Sequence, residues 1–299
     1  MTGPGSSQVA YAVEDSYLSL PGSPTWKQPG LDIEVSSASL ENALIRARHP
    51  DTPLPQGSRA GNLEGAYNIS FSQDKDQDFH ELIFPKSSNT QLASGADTAP
   101  TAAWYLSADA IDQTEERFLG GAAVESVTWN YNQGQKNTVD LTVIYGDEPE
   151  VGGSYGSAPG SISQPAKDDI VMWHETDFQI DGVSVSKLQS LSLTIAGLSR
   201  FRRGQQREPV DAVVGAYEPT LSVQATLSDN TQQQLAYGSS TAVEPLDSIA
   251  ETNCTLIFDI ASNLNVIGVQ PNSFDWAQLV NEEDVQDPTE YHVKEVSVA

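Results

Sequence analysis

Apolar and polar residues alternate along most of the chain. In the first half the apolar positions are Leu63, Tyr67, Ile69 and Phe71, then Val127, Trp129 and Tyr131, then Val139, Leu141, Val143 and Tyr145. In the second half they are Leu191, Leu193 and Ile195, then Leu221, Val223, Ala225 and Leu227, then Cys254, Leu256, Phe258 and Ile260. A period of two places one face of each strand in a core and the other in solvent. The pattern predicts a mainly β protein of packed antiparallel sheets.

Helical patterns are sparse. The clearest one covers residues 75–84, where Phe79, Leu82 and Ile83 form an apolar stripe and Asp74 precedes the first turn as a candidate N-cap. We therefore predict one short helix beside the sheets of the first half.

Three other segments have weaker patterns of apolar residues. Residues 273–285 carry a weak helical stripe that includes Trp276, whereas residues 39–48 fit a helix or a strand and are assigned as strand. The polar connector at residues 132–137 predicts a hairpin between the strands that flank it.

A Gly-, Ser- and Pro-rich segment divides the chain almost in half. Residues 147–166 show no apolar period and predict a linker or a long exposed loop. This gives a first β domain at residues 1–146 and a second at residues 167–299, hereafter the first and second halves. Each is predicted to contain two packed antiparallel sheets, as a sandwich or half-barrel, with a short flanking helix.

The two halves share short motifs in the same order. Arg46 and Arg200 lie 154 residues apart, and the Gly-Ala-Tyr triplets at residues 65–67 and 215–217 lie 150 apart. A four-residue difference in loop length would reconcile the two spacings. Short β motifs also resemble one another by chance, but two matched features around the same kind of loop favour an internal duplication.

The chain is strongly acidic. Its 299 residues include 41 Asp and Glu against 15 Lys and Arg, a net charge of −26. A basic groove for nucleic acid is therefore not expected, because clustered Lys and Arg supply that affinity. Acidic tails or life in high salt would both explain the charge. The acids are spread along the whole chain, which favours high salt, where self-repulsion is screened.

Patterns for catalysis or cofactor binding are not found. The histidines have no partner at metal-ligand spacing, a single cysteine (Cys254) precludes an intramolecular disulfide, and no phosphate loop or dinucleotide fingerprint is present. Sequence alone does not exclude a Ser-His-Asp triad, whose members meet only in space. We predict a protein that is not an enzyme and that has no catalytic, metal or cofactor-binding residues.

Arginine is concentrated in two loops, at residues 47–62 and 199–214, and we treat these as candidate contact loops between subunits. Guanidinium groups pair bidentately with carboxylates, so such a loop suits an acidic partner surface. Local ion pairs and contact with DNA are the alternatives. The candidate contact residues in and beside the loops are Arg46, Arg48, Arg59, Arg200, Arg202, Arg203 and Arg207.

The order of strands and small motifs resembles a known family. The strand at residues 31–35, the segment 61–71 that leads into a helix, and the segments 188–195 and 215–227 are similar to the tail tube proteins of long-tailed phages. The resemblance covers residues 15–260, and the acidic composition suggests a virus of haloarchaea.

The resemblance implies a structural virion protein. Its subunits would form rings that stack into the hollow tail tube, with neighbouring subunits completing an inner β-barrel. A duplicated member could close the ring as a trimer, with a hexamer as the alternative. The implied partners are other copies, the tape-measure protein in the lumen, and the tail-terminator and baseplate or distal tail proteins. Double-stranded DNA would pass through without specific binding.

Two other functions remain open from the sequence. One is another virion component, such as a baseplate, tail-terminator or capsid-surface protein. The other is a carbohydrate-binding or hydrolytic sandwich, with Trp104, Trp129, Tyr131 and Trp173 as candidate sugar platforms, although core packing also explains aromatic residues in strands. No leader and no apolar run of ~20 residues is visible, so we expect assembly in the host cytoplasm and no membrane partner.

Overall fold

Strands make up most of the protein. The structure is a computed structural model that describes residues 7–47, 57–93, 98–109, 113–153, 155–258, 262–277 and 284–298. The strands of the first half are β1 (Gln8–Val13), β2 (Leu31–Glu41), β3 (Ile45–Ala47), β4 (Gly57–Arg59), β5 (Glu64–Ser72), β6 (Ala102–Asp109), β7 (Thr114–Asn132) and β8 (Thr138–Tyr145).

The second half contains the remaining strands and the α-helix. Its strands are β9 (Thr176–Ile180), β10 (Val183–Ser184), β11 (Leu188–Ala196), β12 (Ser199–Arg203), β13 (Pro209–Val214), β14 (Glu218–Ala225), β15 (Thr252–Phe258), β16 (Ser262–Phe274), β17 (Thr289–His292) and β18 (Glu295–Val298). Across the described residues of both halves, the helices are α1 (Thr231–Tyr237) and three 3₁₀ helices at Asp78–Leu82, Lys167–Asp169 and Trp173–Glu175.

One central sheet runs through both halves in the order β2-β5-β8-β7-β11-β14-β17-β16, and all its pairs are antiparallel. The long strands β7 and β16 also belong to side sheets. The N-terminal part of β7 pairs with β6, which pairs with β1, and the N-terminal part of β16 pairs with β15 and β18. The predicted fold class, mainly β with packed antiparallel sheets, is confirmed.

The core follows the alternation of the sequence. Trp104, Trp129, Tyr67, Phe71 and Leu193 are almost fully buried in one continuous cluster. Alternation places these side chains on the inner faces of the strands, where burial of aromatic area is a main source of stability.

The predicted helix at residues 75–84 is shorter than expected. It is the 3₁₀ helix Asp78–Leu82, and Phe79, Leu82 and Ile83 are buried as predicted. The prediction that Asp74 is the N-cap is wrong, because Gln77 holds that position with φ 51°. Asp74 instead accepts a hydrogen bond from the Gln77 amide at 3.2 Å, so the chain turns before the helix begins.

The prediction of a helix at residues 273–285 is wrong for those of its residues that the structure describes. Phe274 ends β16, and Ala277 pairs with Gln286 in a β-bridge; residues 278–283 lie outside the described part. The sequence missed α1, whose seven residues bury Leu235 as their one large apolar side chain and so give no apolar stripe.

The other local predictions agree with the structure. β7 and β8 form the predicted hairpin around residues 132–137. Residues 39–41 and 45–47 are strand, as assigned; the assignment is wrong for residues 42–44, which connect β2 to β3, and Arg48 lies outside the described residues. Leu227 falls just past the end of β14.

Residues 147–166 form an irregular segment that lies against the first half. The Tyr155 hydroxyl donates to Glu14, and the Ser163 amide donates to the Trp26 carbonyl oxygen at 2.8 Å. Ala158 and Ile162 pack in the small cluster around Trp26. The central sheet continues across this junction through β7 and β11, and the division into two domains stays a prediction.

The two halves repeat one pairing pattern. The order β2-β5-β8-β7 recurs as β11-β14-β17-β16, and β1-β6 beside β7 recurs as β9-β15 beside β16. The hairpin β3–β4 recurs as β12–β13, and the 3₁₀ helix after β5 recurs as α1 after β14.

The irregularities of the strands recur with the pairing. β7 shifts register against β8 between Val124 and Ser126, and β16 shifts against β17 between Pro271 and Ser273, 147 residues later in each case. Gly121 (φ 59°) and Gly268 (φ 64°) bend the two strands and are also 147 apart. Positive φ suits glycine, and β-bulges bend strands, so both long strands turn at matching points.

The strand partners correct the alignment of the two halves. Ala66 pairs with Ile144, and Thr220 pairs with His292, the residue that matches Ile144. Ala66 therefore matches Thr220 at a spacing of 154, which is also the spacing of Arg46 and Arg200. The Gly-Ala-Tyr triplets do not coincide: the first opens β5, whereas the second precedes β14. The repeat therefore does not require the four-residue difference in loop length that the triplets suggested.

Candidate assembly interface

The halves join edge to edge where β7 meets β11. The strands pair from Ser126 opposite Ala196 to Asn132 opposite Ser190. On the buried face, Trp129 lies opposite Leu193 and Val127 lies opposite Ile195, and all four side chains are inaccessible or nearly so. Cross-strand apolar pairs of this kind stabilise a sheet and set its register.

The polar face of the same junction is also paired. The Thr128 and Thr194 hydroxyl groups lie 3.0 Å apart, and the Ser192 hydroxyl donates to Asn130 Oδ1 at 3.2 Å. The junction is therefore complementary on both faces, which is what an interface between separate subunits would need.

The hairpin β12–β13 folds back over this junction. Ala212 is fully buried against Ala99 and Ala123, and the Phe201 ring meets Tyr17 edge to face at 6.3 Å. The Ser199 hydroxyl donates to the Val124 carbonyl oxygen at 2.6 Å. The second half thus contacts β7 through two elements, the edge strand β11 and the hairpin β12–β13 that follows it.

Two of the predicted contact arginines bind the first half of their own chain. Arg203 Nη2 donates to Glu64 Oε1 at 3.1 Å and to the Leu63 carbonyl oxygen at 3.2 Å. Arg207 Nε donates to the Gly61 carbonyl oxygen at 3.1 Å, and its Nη2 donates to Asn42 Oδ1 at 2.6 Å. The structure therefore brings the loop at 199–214 onto the ends of the loop at 47–62.

The other predicted arginines that the structure describes do not contact the first half in this way. Arg200 is exposed on β12, and Arg202 lies 4.0 Å from Asp211 in the same hairpin. Arg46 and Arg59 are exposed, and neither forms an ion pair with a residue that the structure describes; Arg48 lies outside those residues. A role for all seven arginines between subunits stays a prediction.

The first-half hairpin β3–β4 is exposed, unlike its counterpart. Leu44 and Ile45 are 58% and 66% exposed, whereas Ala212 and Val213 in the second-half hairpin are buried. An isolated two-stranded hairpin with exposed apolar side chains gains little stability by itself in water. Its setting differs from that of β12–β13, because no described residue of the second half buries Leu44 or Ile45.

β2 is an open edge of the central sheet. It pairs only with β5 among the described residues, and its side chains are mostly exposed. Arg117 Nη1 donates to the Ala38 carbonyl oxygen at 3.0 Å, and the Tyr145 hydroxyl donates to that of Ser39 at 2.7 Å. These bonds hold β2 in place against β5, and its other edge has no strand partner among the described residues.

Arg117 is itself fixed by a carboxylate. Its Nε and Nη2 atoms lie 2.5 and 3.0 Å from the two oxygens of Glu148, a bidentate arrangement that raises the pKa of the guanidinium. Sequence reasoning did not connect Arg117 with Tyr145 and Glu148, because Arg117 lies 28 and 31 residues before them and meets them only through the packing of the folded chain.

The opposite end of the central sheet is the outer edge of the C-terminal part of β16, beyond its pairing with β15. Trp276 follows this strand and is 40% exposed, whereas Trp129, the matching residue 147 positions earlier, is 1% exposed. Phe274, which matches the buried Val127, is only half-buried. The repeat of Trp129 at Trp276 was visible in the sequence, but only the aligned glycines identify the two as equivalent.

Other kinds of site find little support in the described residues. No group of three or more His, Cys, Asp or Glu is placed to hold a metal ion there. His80 is buried between Phe79, Phe84 and Trp129, and burial lowers its pKa to about 3, so it packs as a neutral ring. None of the helices described is long and apolar enough to cross a bilayer.

The fold and its edges define a mainly β protein whose two halves join by strand pairing. Residues 6–264 match the family model described as phage tail tube protein. The match spans most of the chain, and the chain belongs to this family of structural proteins of the viral tail. A search of the curated proteins gives no match.

Proposed function

We propose that this protein is the ring-forming subunit of a hollow tail tube through which viral DNA is delivered, and that it acts without catalysis. The family match over residues 6–264 carries the proposal. The open edge at β2 supports it, because unpaired strand edges invite pairing and a closed ring satisfies them.

Each chain would supply two of the six positions of a ring. The repeated order of strands in residues 31–145 and 188–292 supports two like tube domains per chain, divided by the segment at 147–166. Three chains would then close a ring of pseudo-sixfold symmetry. A ring of six chains is the alternative, with twelve domains and a wider lumen.

The net charge of −26 suits a conduit for DNA. An acidic lumen repels phosphate groups, so DNA passes without being held. The lumen would contain the tape-measure protein before ejection, and the ends of the tube would meet tail-terminator and baseplate or distal tail proteins. The seven predicted arginines would contribute to contacts with acidic surfaces of these partners or of other copies.

The same charge supports assembly in a salty cytoplasm, as in a host among the haloarchaea. At 1 M salt the screening length is about 3 Å, which removes most repulsion between surface carboxylates. We expect the midpoint of thermal unfolding to rise between 0.1 and 3 M KCl. A midpoint that falls or stays constant would argue against a high-salt setting and leave the tube proposal untouched.

Electron microscopy tests the tube. The purified chain, concentrated in about 2–3 M KCl to screen its surface carboxylates, should form rings and hollow rods. Mass measurement of the smallest ring gives the number of chains, and three is expected. A chain that stays monomeric at high concentration in both low and high salt would overturn the proposed function.

A further inference from the structure

We propose that chains join by the same contact that joins the two halves of one chain: β2 of one copy pairs with the open edge of a second copy formed by the C-terminal end of β16 and the residues up to Ala277. The inference rests on the proposed function and specifies its lateral interface. The hairpin β3–β4 of the first copy would pack against β16 of the second as β12–β13 packs against β7.

The repeat of the fold supplies both surfaces of this contact. β11 occupies the position of β2 in the order of the sheet, and β16 occupies the position of β7. Within the chain, β11 and β7 are paired to each other. Their counterparts are β2 and the C-terminal part of β16, at opposite ends of the central sheet. β2 has no strand partner on its outer edge among the described residues, and neither do residues 270–274 of β16, beyond the pairing with β15.

The exposure of matching residues indicates where a partner is missing. Trp129 is 1% exposed beneath the β7–β11 junction, whereas its counterpart Trp276 is 40% exposed. Leu40, the counterpart of the fully buried Ile195, is 38% exposed on β2. The same element is therefore covered where a neighbouring half is present and uncovered where the neighbour would have to be another chain.

The observed pairings predict the register of the contact. Ile195 pairs with Pro219 and Leu40 pairs with Gly65, and these partners match at the spacing of 154. Leu40 therefore takes the place of Ile195. By the spacing of 147, Phe274 takes the place of Val127, which faces Ile195 in the chain.

The contact should thus place Leu40 of one copy directly opposite Phe274 of the next. Two residues further along each strand, on the same face, Ala38 should lie opposite Trp276, as Leu193 lies opposite Trp129. The bridge between Ala277 and Gln286 continues the pairing of β16 with its inner neighbour as far as this point, which keeps the chain extended past Trp276.

A second copy of this chain is the partner that fits. The contact uses one surface from the first half and a different surface from the second half, so it is heterologous and can be repeated around a ring until it closes. β2 is mostly exposed, and its outer edge has no strand partner among the described residues, as an added strand needs.

Paired cysteines test the register. Directly opposite positions on an antiparallel pair have Cβ atoms about 4.5–5.5 Å apart, within reach of a disulfide after small adjustments or of a short bis-maleimide. The native Cys254 is buried and gives little background. A mixture of Leu40→Cys chains and Phe274→Cys chains in high salt should give cross-linked dimers. The double variant should give a ladder that ends at the closed ring.

A matched control places the thiol on the wrong face. Ser39→Cys mixed with Phe274→Cys differs by one residue and points the sulfur to the opposite side of the sheet. We expect at least a tenfold lower yield of cross-linked dimer from this pair. Similar yields from both pairs would overturn the register.

A charge at the edge tests the surface without cysteine chemistry. Leu40→Lys should lower the assembled fraction at least tenfold while leaving the circular dichroism spectrum of the monomer unchanged. Val183→Lys, at an exposed apolar residue of β10, is the matched control and should assemble like wild type.

The outcomes separate this inference from the proposed function. If rings and rods form but the Leu40 and Phe274 thiols do not cross-link, the β2–β16 contact is wrong and the tube function stands. If the Leu40→Lys chain assembles as well as wild type, the edge is not at the interface. If the wild-type chain forms no rings, both proposals fail.

Discussion

The aromatic ring of Tyr145 lies directly over Gly65. A Cβ atom at residue 65 would lie 2.3 Å from the Cε2 and Cζ atoms of this ring, and Tyr145 is fully buried. The ring crosses β5 at the glycine and reaches β2, where its hydroxyl donates to the Ser39 carbonyl oxygen at 2.7 Å. The absence of a side chain at Gly65 therefore lets one tyrosine connect three neighbouring strands.

Gly65→Ala should destabilise the protein by about 1–3 kcal/mol, because the buried ring must shift to admit the methyl group. Chemical denaturation of the monomer measures the change. Gly22→Ala is the control: a Cβ there meets nothing within 4 Å, so a change within about 0.5 kcal/mol is expected. Equal effects at the two sites would refute the packing argument.

Glu14 should anchor both the bend of β7 and the segment at 147–166. Its carboxylate accepts hydrogen bonds from the Gly121 amide at 2.9 Å, from Thr101 Oγ1 at 2.6 Å and from the Tyr155 hydroxyl. Glu14→Gln turns an amide N–H group toward donors and should cost about 1–3 kcal/mol of unfolding free energy. Glu125→Gln, at an exposed residue of β7, should cost less than about 0.5 kcal/mol.

Tyr155→Phe removes only one of these hydrogen bonds. We expect a loss of about 1 kcal/mol together with faster proteolysis within residues 147–166, since the segment loses a tie to the first half. Unchanged proteolysis would mean that packing around Trp26 holds the segment without this bond.

The ion pair between Arg203 and Glu64 should contribute little energy. The Arg203 and Glu64 side chains are 26% and 53% exposed and 3.1 Å apart. A double-mutant cycle with Arg203→Ala and Glu64→Ala should give a coupling of about 0.2–1 kcal/mol that shrinks as salt is raised. Coupling above about 2 kcal/mol that is insensitive to salt would contradict this. Arg200→Ala, at an exposed arginine of the same strand, should leave stability unchanged.

Two buried carboxyl groups should oppose stability at neutral pH. Burial raises the pKa of Asp74 and of Asp287 from 3.8 to about 6 in the folded protein. Between about pH 4 and pH 6 the folded state binds more protons than the unfolded state, so this contribution to stability falls as pH rises through that window. Above pH 6 both groups are charged and the penalty is complete.

Asp74→Asn with Asp287→Asn should remove this penalty, and its stability relative to wild type should rise by about 1–3 kcal/mol between pH 4 and pH 7. Denaturation midpoints at each pH give the difference. Asp32→Asn is the opposite control, because the Lys136 ammonium lowers the pKa of Asp32 and the charged form is the stabilising one. A difference that does not change with pH would refute the assignment.

Local structure in this protein was predictable where side chains alternate. The strands around Tyr67, Trp129 and Leu193 and the hairpin between β7 and β8 follow from a period of two, because each strand buries one face. The pattern failed where few apolar residues define an element. α1 buries only Leu235 among its large apolar side chains, and the stripe around Trp276 does not extend far enough to distinguish a helix from a bent strand.

The candidate interface was only partly predictable. The loops around Arg46 and Arg200 were recognised as counterparts, and their spacing of 154 proved to be the structural one. The triplets at Gly65 and Gly215 gave a false alignment, because three common residues carry less information than the pairing of a whole strand. The anchoring of β2 by Arg117 and Tyr145 could not be predicted, since it joins residues more than 75 positions apart.

The sequence by itself determined the strands, the acidic surface and the existence of a repeat, since these depend on the order and kind of neighbouring residues. Only the tertiary structure decided which edges are sealed. Trp129 and Trp276 have equivalent positions along equivalent strands, yet one is covered and the other is open. Burial depends on which strand lies alongside, and strand neighbours are chosen by contacts between distant parts of the chain.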